Sequence, residues 1–298
     1  MRKVSLLLVL PSCLILTFCA SLSVSAQSAA DTARRAYQKS DLRQVVNPDH
    51  MQVYLIKPSV DIPLLAGGAA WDLYGFSQIS RKSSSSVAEV ESLNTGKIGW
   101  LDRWAVHPYS HSIDKASYIP FYVAIPLPLI AFGIDSRMRQ DFWKLTYLYA
   151  EAMTLTGALY TSAVHYVDRH RPLVYESASP IGERTSANSK NSFFAGHVAL
   201  VGTSVFFIAQ AYADYHPESH IKWVFYGGAE AITALTAYLR NRAGEHFFTD
   251  ITLGNIVGAA SGLLVPILHK TIKIHHNPLS IMPFSNHGQG MTALYQFK

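Results

Sequence analysis

From residue 118 onward the chain alternates long apolar runs with short polar connectors. The runs fall at 118–134 ("YIPFYVAIPLPLIAFGI"), 145–164, 198–213, 221–239 and 251–268, each about long enough to cross a bilayer as a helix. This pattern predicts an all-α fold, a helical bundle with multi-pass membrane insertion. Glu151, Gln210 and Glu230 interrupt the runs, and the mean hydropathy is only +0.12, which keeps a soluble exported helical domain as the alternative. Upstream the pattern is weaker. "IPLLAGGAAWDLYGF", 62–76, is short and carries Asp72, which predicts an interfacial or packed helix rather than a crossing. "RKSSSS" at 81–86 reads as an exposed loop, and "PLSIMPFSNHGQGMTALYQFK" after the last run reads as a hairpin or short extended C-terminal tail.

The first residues alter the setting. Arg2 and Lys3 precede an apolar stretch that ends in "VSAQ", with small residues at Val24 and Ala26, the pattern of an export leader cleaved after Ala26. Phe18 is too bulky for a lipoprotein signal before Cys19. Both cysteines, Cys13 and Cys19, lie within this leader, so the mature chain is expected to have no thiol for a disulfide, zinc site or nucleophile. Loss of the two basic residues takes the formal charge from +5 to +3, too small an excess to indicate nucleic acid. The chain thus divides into a leader at 1–26, an N-terminal segment at 27–117, a core at 118–268 and a tail at 269–298.

Three polar clusters interrupt the core: "HYVDRHRPLVY" with Arg171 and Pro172, "SFFAGH" at 192–197, and "YLRNRAGEHFFTD" at 238–250. Two apolar runs separate His197 from Arg240, and none separates Arg171 from His197. All three clusters therefore return to one end of the bundle, in membrane or in water. His246 and Asp250 are four apart, which on a helix puts them on one face. A carboxylate on one imidazole nitrogen leaves the other as a base or nucleophile. Arg240 adds a planar cation suited to phosphate oxygens. Ala195, Gly196 and His197 lie near a helix start, where free backbone N–H groups hold anions. The histidines at 107 and 111, and at 275 and 276, lack a convincing ligand set, so no metal is expected.

In this order and spacing the clusters resemble the type 2 phosphatidic acid phosphatase superfamily, which includes bacterial lipid phosphatases, soluble acid phosphatases and vanadium haloperoxidases. The family's third motif, Ser-Arg, five residues, His, three residues, Asp, is matched by Arg240, His246 and Asp250, with Leu239 in place of serine. Gly196 and His197 match the end of Pro-Ser-Gly-His, with Phe194 and Ala195 replacing proline and serine. Arg171 and Pro172 match the end of Lys, six residues, Arg-Pro, with Val164 replacing lysine. His165 is an imperfect substitute for that lysine, and Arg242, Arg184 or Lys190 are expected to supply charge instead.

The resemblance implies a helical bundle of the phosphatase and haloperoxidase type, working without cofactor or metal. His246, oriented by Asp250, would attack phosphorus and form a phosphohistidine. Arg171, Arg240 and the amides at Ala195 and Gly196 would hold the phosphate, and His197 would protonate the leaving oxygen. The implied substrate is a membrane phospholipid or lipid A, with lipid A narrowly preferred over undecaprenyl pyrophosphate and phosphatidylglycerophosphate. The implied location is the inner membrane of a bacterium with a periplasmic site, or the periplasm for a soluble form. Two rivals remain, a vanadium haloperoxidase and a non-catalytic lipid-binding protein. The periplasmic placement requires that 62–76 does not cross.

Overall fold

The computed structural model describes residues 52–271 and two strands at 279–284 and 290–295. The expected leader, with both cysteines, and the histidines at 275 and 276 lie outside the described residues. The helices are α1 (Pro58–Ile79), α2 (Val87–Glu91), α3 (His111–Ala124), α4 (Leu127–Ile134), α5 (Phe142–Tyr166), α6 (Ile181–Thr185), α7 (Gly196–Tyr215), α8 (Lys222–Arg242) and α9 (Phe248–His269), with short 3₁₀ turns between them. The expected C-terminal hairpin is an antiparallel pair, β1 (Leu279–Phe284) and β2 (Gly290–Tyr295), with Leu279 opposite Tyr295.

Among the described residues, three segments are long and apolar enough to cross a membrane: His111–Ile134, which joins α3 and α4, then α7 and α9. Helices α5 and α8, with 25 and 21 residues, have the length but fall short in hydropathy, because charged and hydroxyl side chains interrupt them. α7 is the central element. Its apolar window is 78% buried, against 33% for α9 and 22% for α3–α4, so α7 faces protein and the other two present apolar side chains outward. The exterior carries Leu73, Ile134, Val224 and Leu268, each more than two-thirds exposed. Trp100 and Trp104 lie near one end of the bundle and Trp143 and Trp223 near the other, all exposed. Apolar walls between two tryptophan belts suit a bilayer and its two interfaces.

Glycines set the closest helix contact. Gly254, Gly258 and Gly262 form a stripe on α9, and a Cβ on any of them would lie within 3.0 Å of the backbone carbonyl of Ala195, Ala199 or Thr203. Two helix backbones approach this closely only across such small residues. The stripe fixes the N-terminal ends of α7 and α9 side by side, and those ends carry two of the three sequence clusters.

The segment at 62–76 is part of a helix longer than its apolar run. It belongs to α1, which is 22 residues or about 33 Å long and runs parallel to α5 along its length. Gly68 meets Thr154, Asp72 meets Gly157, Gly75 meets Thr161, and Lys82 beyond the helix reaches Asp168 at 2.7 Å. Asp72 does not shorten the helix because it faces α5 rather than the exterior. At the start of α1, the amide of Leu55 donates to the carbonyl of His269 (2.8 Å) and that of Thr271 to Val53 (2.8 Å). The chain therefore enters α1 and leaves α9 at the same end. The three clusters occupy the opposite end.

Candidate active site

Chain geometry at two helix ends places His246. α8 stops at Arg242, and Gly244, at φ +79°, turns the chain in a conformation that glycine adopts without strain. The amide of Glu245 then donates back to the carbonyl of Arg240 at 3.1 Å. His246 follows, 2% exposed, and the side-chain amide of Asn241 holds its carbonyl at 3.0 Å. Its Nδ1 lies 2.8 Å from the carbonyl oxygen of Ser192. A carbonyl only accepts, so Nδ1 carries the proton and Nε2 keeps the lone pair. Burial, reinforced by Arg171 and Arg240, holds the imidazole well below the usual histidine range, so it is neutral.

Asp250 does not orient His246 directly. The expectation assumed that both lie on one helix, but α9 begins only at Phe248, so the four-residue spacing does not bring their side chains together. Asp250 accepts from Ser192 Oγ (2.6 Å), from the amide of Phe247 (3.0 Å) and from the Arg169 guanidinium. Ser192 is thus the link: its hydroxyl is held by Asp250 and its carbonyl holds His246. Asp102, buried in the connector before α3, pairs with Arg169 at 2.6 Å and accepts from the amide and hydroxyl of Thr249 (2.9 and 2.7 Å). Asp102 therefore caps the start of α9, and with Arg169 it holds Asp250 in place. Asp250 is linked to His246 only through Ser192.

Arg171 and Arg240 do converge, and a side chain the sequence reading missed lies between them. Arg240, 1% exposed, donates from Nη1 to Asp114 (2.7 Å) and Ser117 (2.9 Å) and from Nη2 to Glu245 Oε2 (2.8 Å). Arg171 Nη1 pairs with the same Glu245 oxygen, and Nη2 reaches Asn188 at 3.1 Å. Both Nε groups are buried without a partner. Burial, and then the nearby Arg240, lower Arg171 to about 10, still charged at neutral pH. Two buried guanidiniums share one carboxylate oxygen, from the residue that precedes His246, in an arrangement able to hold an anion.

His197 lies on the first turn of α7 with its ring against Tyr118 (4.8 Å) and Phe121 (5.0 Å) of α3. Tyr118 also lies under the Arg240 guanidinium at 5.4 Å. The expectation for Ala195 is corrected: its amide donates to the carbonyl of Asp250 at 3.2 Å and is not available to an anion. Gly196 opens the helix, so its amide is among the first-turn groups that lack an intrahelical partner.

No single residue takes the place of the lysine that Val164 replaces. Val164 is buried, and Lys82 donates to its carbonyl at 2.6 Å while paired with Asp168. His165 turns toward Tyr74 on α1, Arg184 bonds the carbonyl of Val174, and Arg242 lies against His107. Of the residues missed by sequence, Glu245, Ser192 and Arg169 lie inside the quoted clusters and were within reach. Asp102, Asp114, Ser117 and Tyr118 belong to no motif.

Residues 145–274, from α5 through α9, match the family model of the PAP2 superfamily. This region is a PAP2 superfamily domain. α3 lies outside the matched range, yet supplies Asp114, Ser117 and Tyr118 to the PAP2 site, so the site extends upstream of both that range and the boundary expected at 118. Among solved structures, the chain is similar to a transmembrane PAP2-type phosphatidylglycerolphosphate phosphatase from Bacillus subtilis. The identity is 20% and the TM-score 0.41, over 70% of this chain and 98% of that one. No curated protein matches the chain.

Proposed function

We propose that this PAP2 domain is a metal-independent phosphatase that removes a phosphate monoester or pyrophosphate from a membrane lipid through a phosphohistidine. The observation that carries this reading is a neutral, buried His246, its Nε2 free, on the residue next to an Arg171–Arg240 anion clamp. The substrate phosphate displaces the Glu245 carboxylate from the two guanidiniums. Nε2 then forms a bond to phosphorus as the bond to the leaving oxygen breaks. Arg171, Arg240 and the first-turn amides of α7 neutralise charge on the remaining oxygens. His197 gives its proton to the leaving oxygen, then takes one from the water that cleaves the phosphohistidine.

A groove of about 610 Å³ beside the site supports a lipid substrate. Ala234, Ala237 and Ile251 line its wall between α8 and α9, and His107 and Arg242 stand in its lining as polar groups. An acyl chain suits that wall, with its headgroup by the cations. Lipid A remains the first substrate to test, beside undecaprenyl pyrophosphate and phosphatidylglycerophosphate. Purified protein is expected to release phosphate from at least one of them in detergent, with no added metal. Bromide-dependent peroxidase activity on adding vanadate, without phosphate release, would instead identify a haloperoxidase.

The proposed sidedness of the site turns on α1. Taken as a crossing because it is co-extensive with α5, α1 is the first of three, with α3–α4 and α5, between residue 52 and Arg171, so the site lies on the face opposite the chain's entry into α1. A leader that exports residue 52 then puts the site on the cytoplasmic face. A periplasmic site requires a cytoplasmic entry. Single cysteines at Ser186, on the site end, and Ser219, on the other, decide this with an impermeant maleimide applied to cells with a permeable outer membrane. If residue 52 is exported, labelling at Ser219→Cys alone is expected. Labelling at Ser186→Cys alone gives the periplasmic site, and labelling at both gives a soluble periplasmic protein.

A further inference from the structure

At the end of the bundle away from the phosphatase site, three side chains from three helices point at one another. Asp61 comes from the first turn of α1, Glu151 from α5 and His269 from the last turn of α9. One ligand atom from each lies within 4.8 Å of the others. His269 Nε2 is 3.5 Å from Asp61 Oδ1 and 3.6 Å from Glu151 Oε2. We propose that Asp61, Glu151 and His269 form a divalent-cation site that clamps α1 to α5 and α9.

Three observations favour an ion over an ordinary ion pair. His269 Nδ1 lies 2.8 Å from the carbonyl of Val265, so Nδ1 carries the proton and Nε2 turns a lone pair toward the two carboxylates. A backbone carbonyl on the far nitrogen is also how metal-bound imidazoles are held. The separations of 3.5 and 3.6 Å exceed the hydrogen-bond range, so a proton on Nε2 would satisfy neither oxygen. An ion about 2.0–2.2 Å from each of two tetrahedral ligands would hold them about 3.3–3.6 Å apart. Finally, Asp61 is 4% exposed, its other oxygen accepting from the amide of Lys57, while Glu151 Oε2 is buried with no hydrogen-bond partner. The hydroxyl of Tyr147, one turn before Glu151, is likewise buried and unpartnered. Among the described residues no hydrogen bond is donated to Glu151 Oε2, and the two carboxylates match the charge of a divalent ion. Imidazole with carboxylates suits zinc or manganese.

The site stands apart from the phosphatase reading, and its test reads metal rather than turnover. Full-length protein in detergent is stripped with a chelator, loaded with zinc chloride, desalted and assayed for metal content and melting temperature. About one zinc per chain is expected to remain and to raise the melting temperature by several degrees. Glu151→Gln and His269→Gln are expected to lose both effects while melting like the zinc-free wild type. Replacement of His275 and His276 with alanine is expected to leave both effects intact. Zinc retained equally by Glu151→Gln and His269→Gln, or zinc absent from the wild type, overturns the proposal. Should the variants fold poorly, X-ray absorption of the zinc-loaded wild type decides, because a site without one imidazole and oxygen ligands overturns it equally.

Discussion

His246→Ala is expected to lower phosphate release about 10³-fold or more, the loss that follows removal of the group that forms a covalent intermediate. The side chain is 2% exposed and joined to the rest of the site through Nδ1 and the Ser192 carbonyl. Its unbonded Nε2 is therefore the atom whose removal should matter. Two measurements separate chemistry from folding. A labelled substrate should leave an acid-labile, base-stable phosphate on the wild type and none on His246→Ala, and the variant should still melt cooperatively. Near-normal turnover in a folded His246→Ala protein would refute the nucleophile assignment.

Arg240→Ala is expected to remove activity and also to destabilise the protein by about 3–5 kcal/mol, the usual cost of breaking a buried ion pair from one side. Arg240 is 1% exposed and serves Asp114, Ser117 and Glu245 together. Its loss leaves the nearly buried Glu245 with Arg171 alone and Asp114 without its cation. Arg240→Lys should recover little, because one ammonium cannot reproduce the fork that reaches α3 and Glu245 together. The readouts are thermal melting and phosphate release. A variant that melts like the wild type would show that this network contributes little to stability.

The bundle was legible because apolar runs of bilayer length record helices directly, and parity alone brought the three clusters to one end. The extent of α1 was not legible. Asp72 reads as a break along the chain, and only the packing against Gly157 of α5 shows where it points. The convergence of Arg171, Arg240, His197 and His246 could be anticipated from motif order. Their mutual contacts could not. The four-residue spacing suggested a direct His246–Asp250 pair, but whether such a spacing means a shared face depends on where the helix starts, and it starts two residues too late. Glu245 was in plain view beside His246, yet its reach to both guanidiniums depends on the reversal at Gly244. Asp102 and Asp114 join the site across more than a hundred residues of chain, a separation at which local pattern carries no information.

The glycine stripe on α9 also constrains how the molecule can move. His197 stands at the start of α7 and His246 just before α9, and the two helices meet there backbone against backbone, with no layer of side chains between them to slide or repack. Shear between packed helices needs such a deformable layer. The two histidines consequently ride on one stiff body. The 171–191 segment with Arg171 and Asn188, and α3 with Tyr118 and Asp114, join that body through side chains and a few backbone hydrogen bonds, among them the amide of Leu173 to the carbonyl of Gly244 at 2.9 Å. On the proposed mechanism, the attacking and proton-carrying groups would keep their separation through the cycle while the side chains that grip the anion adjust around them.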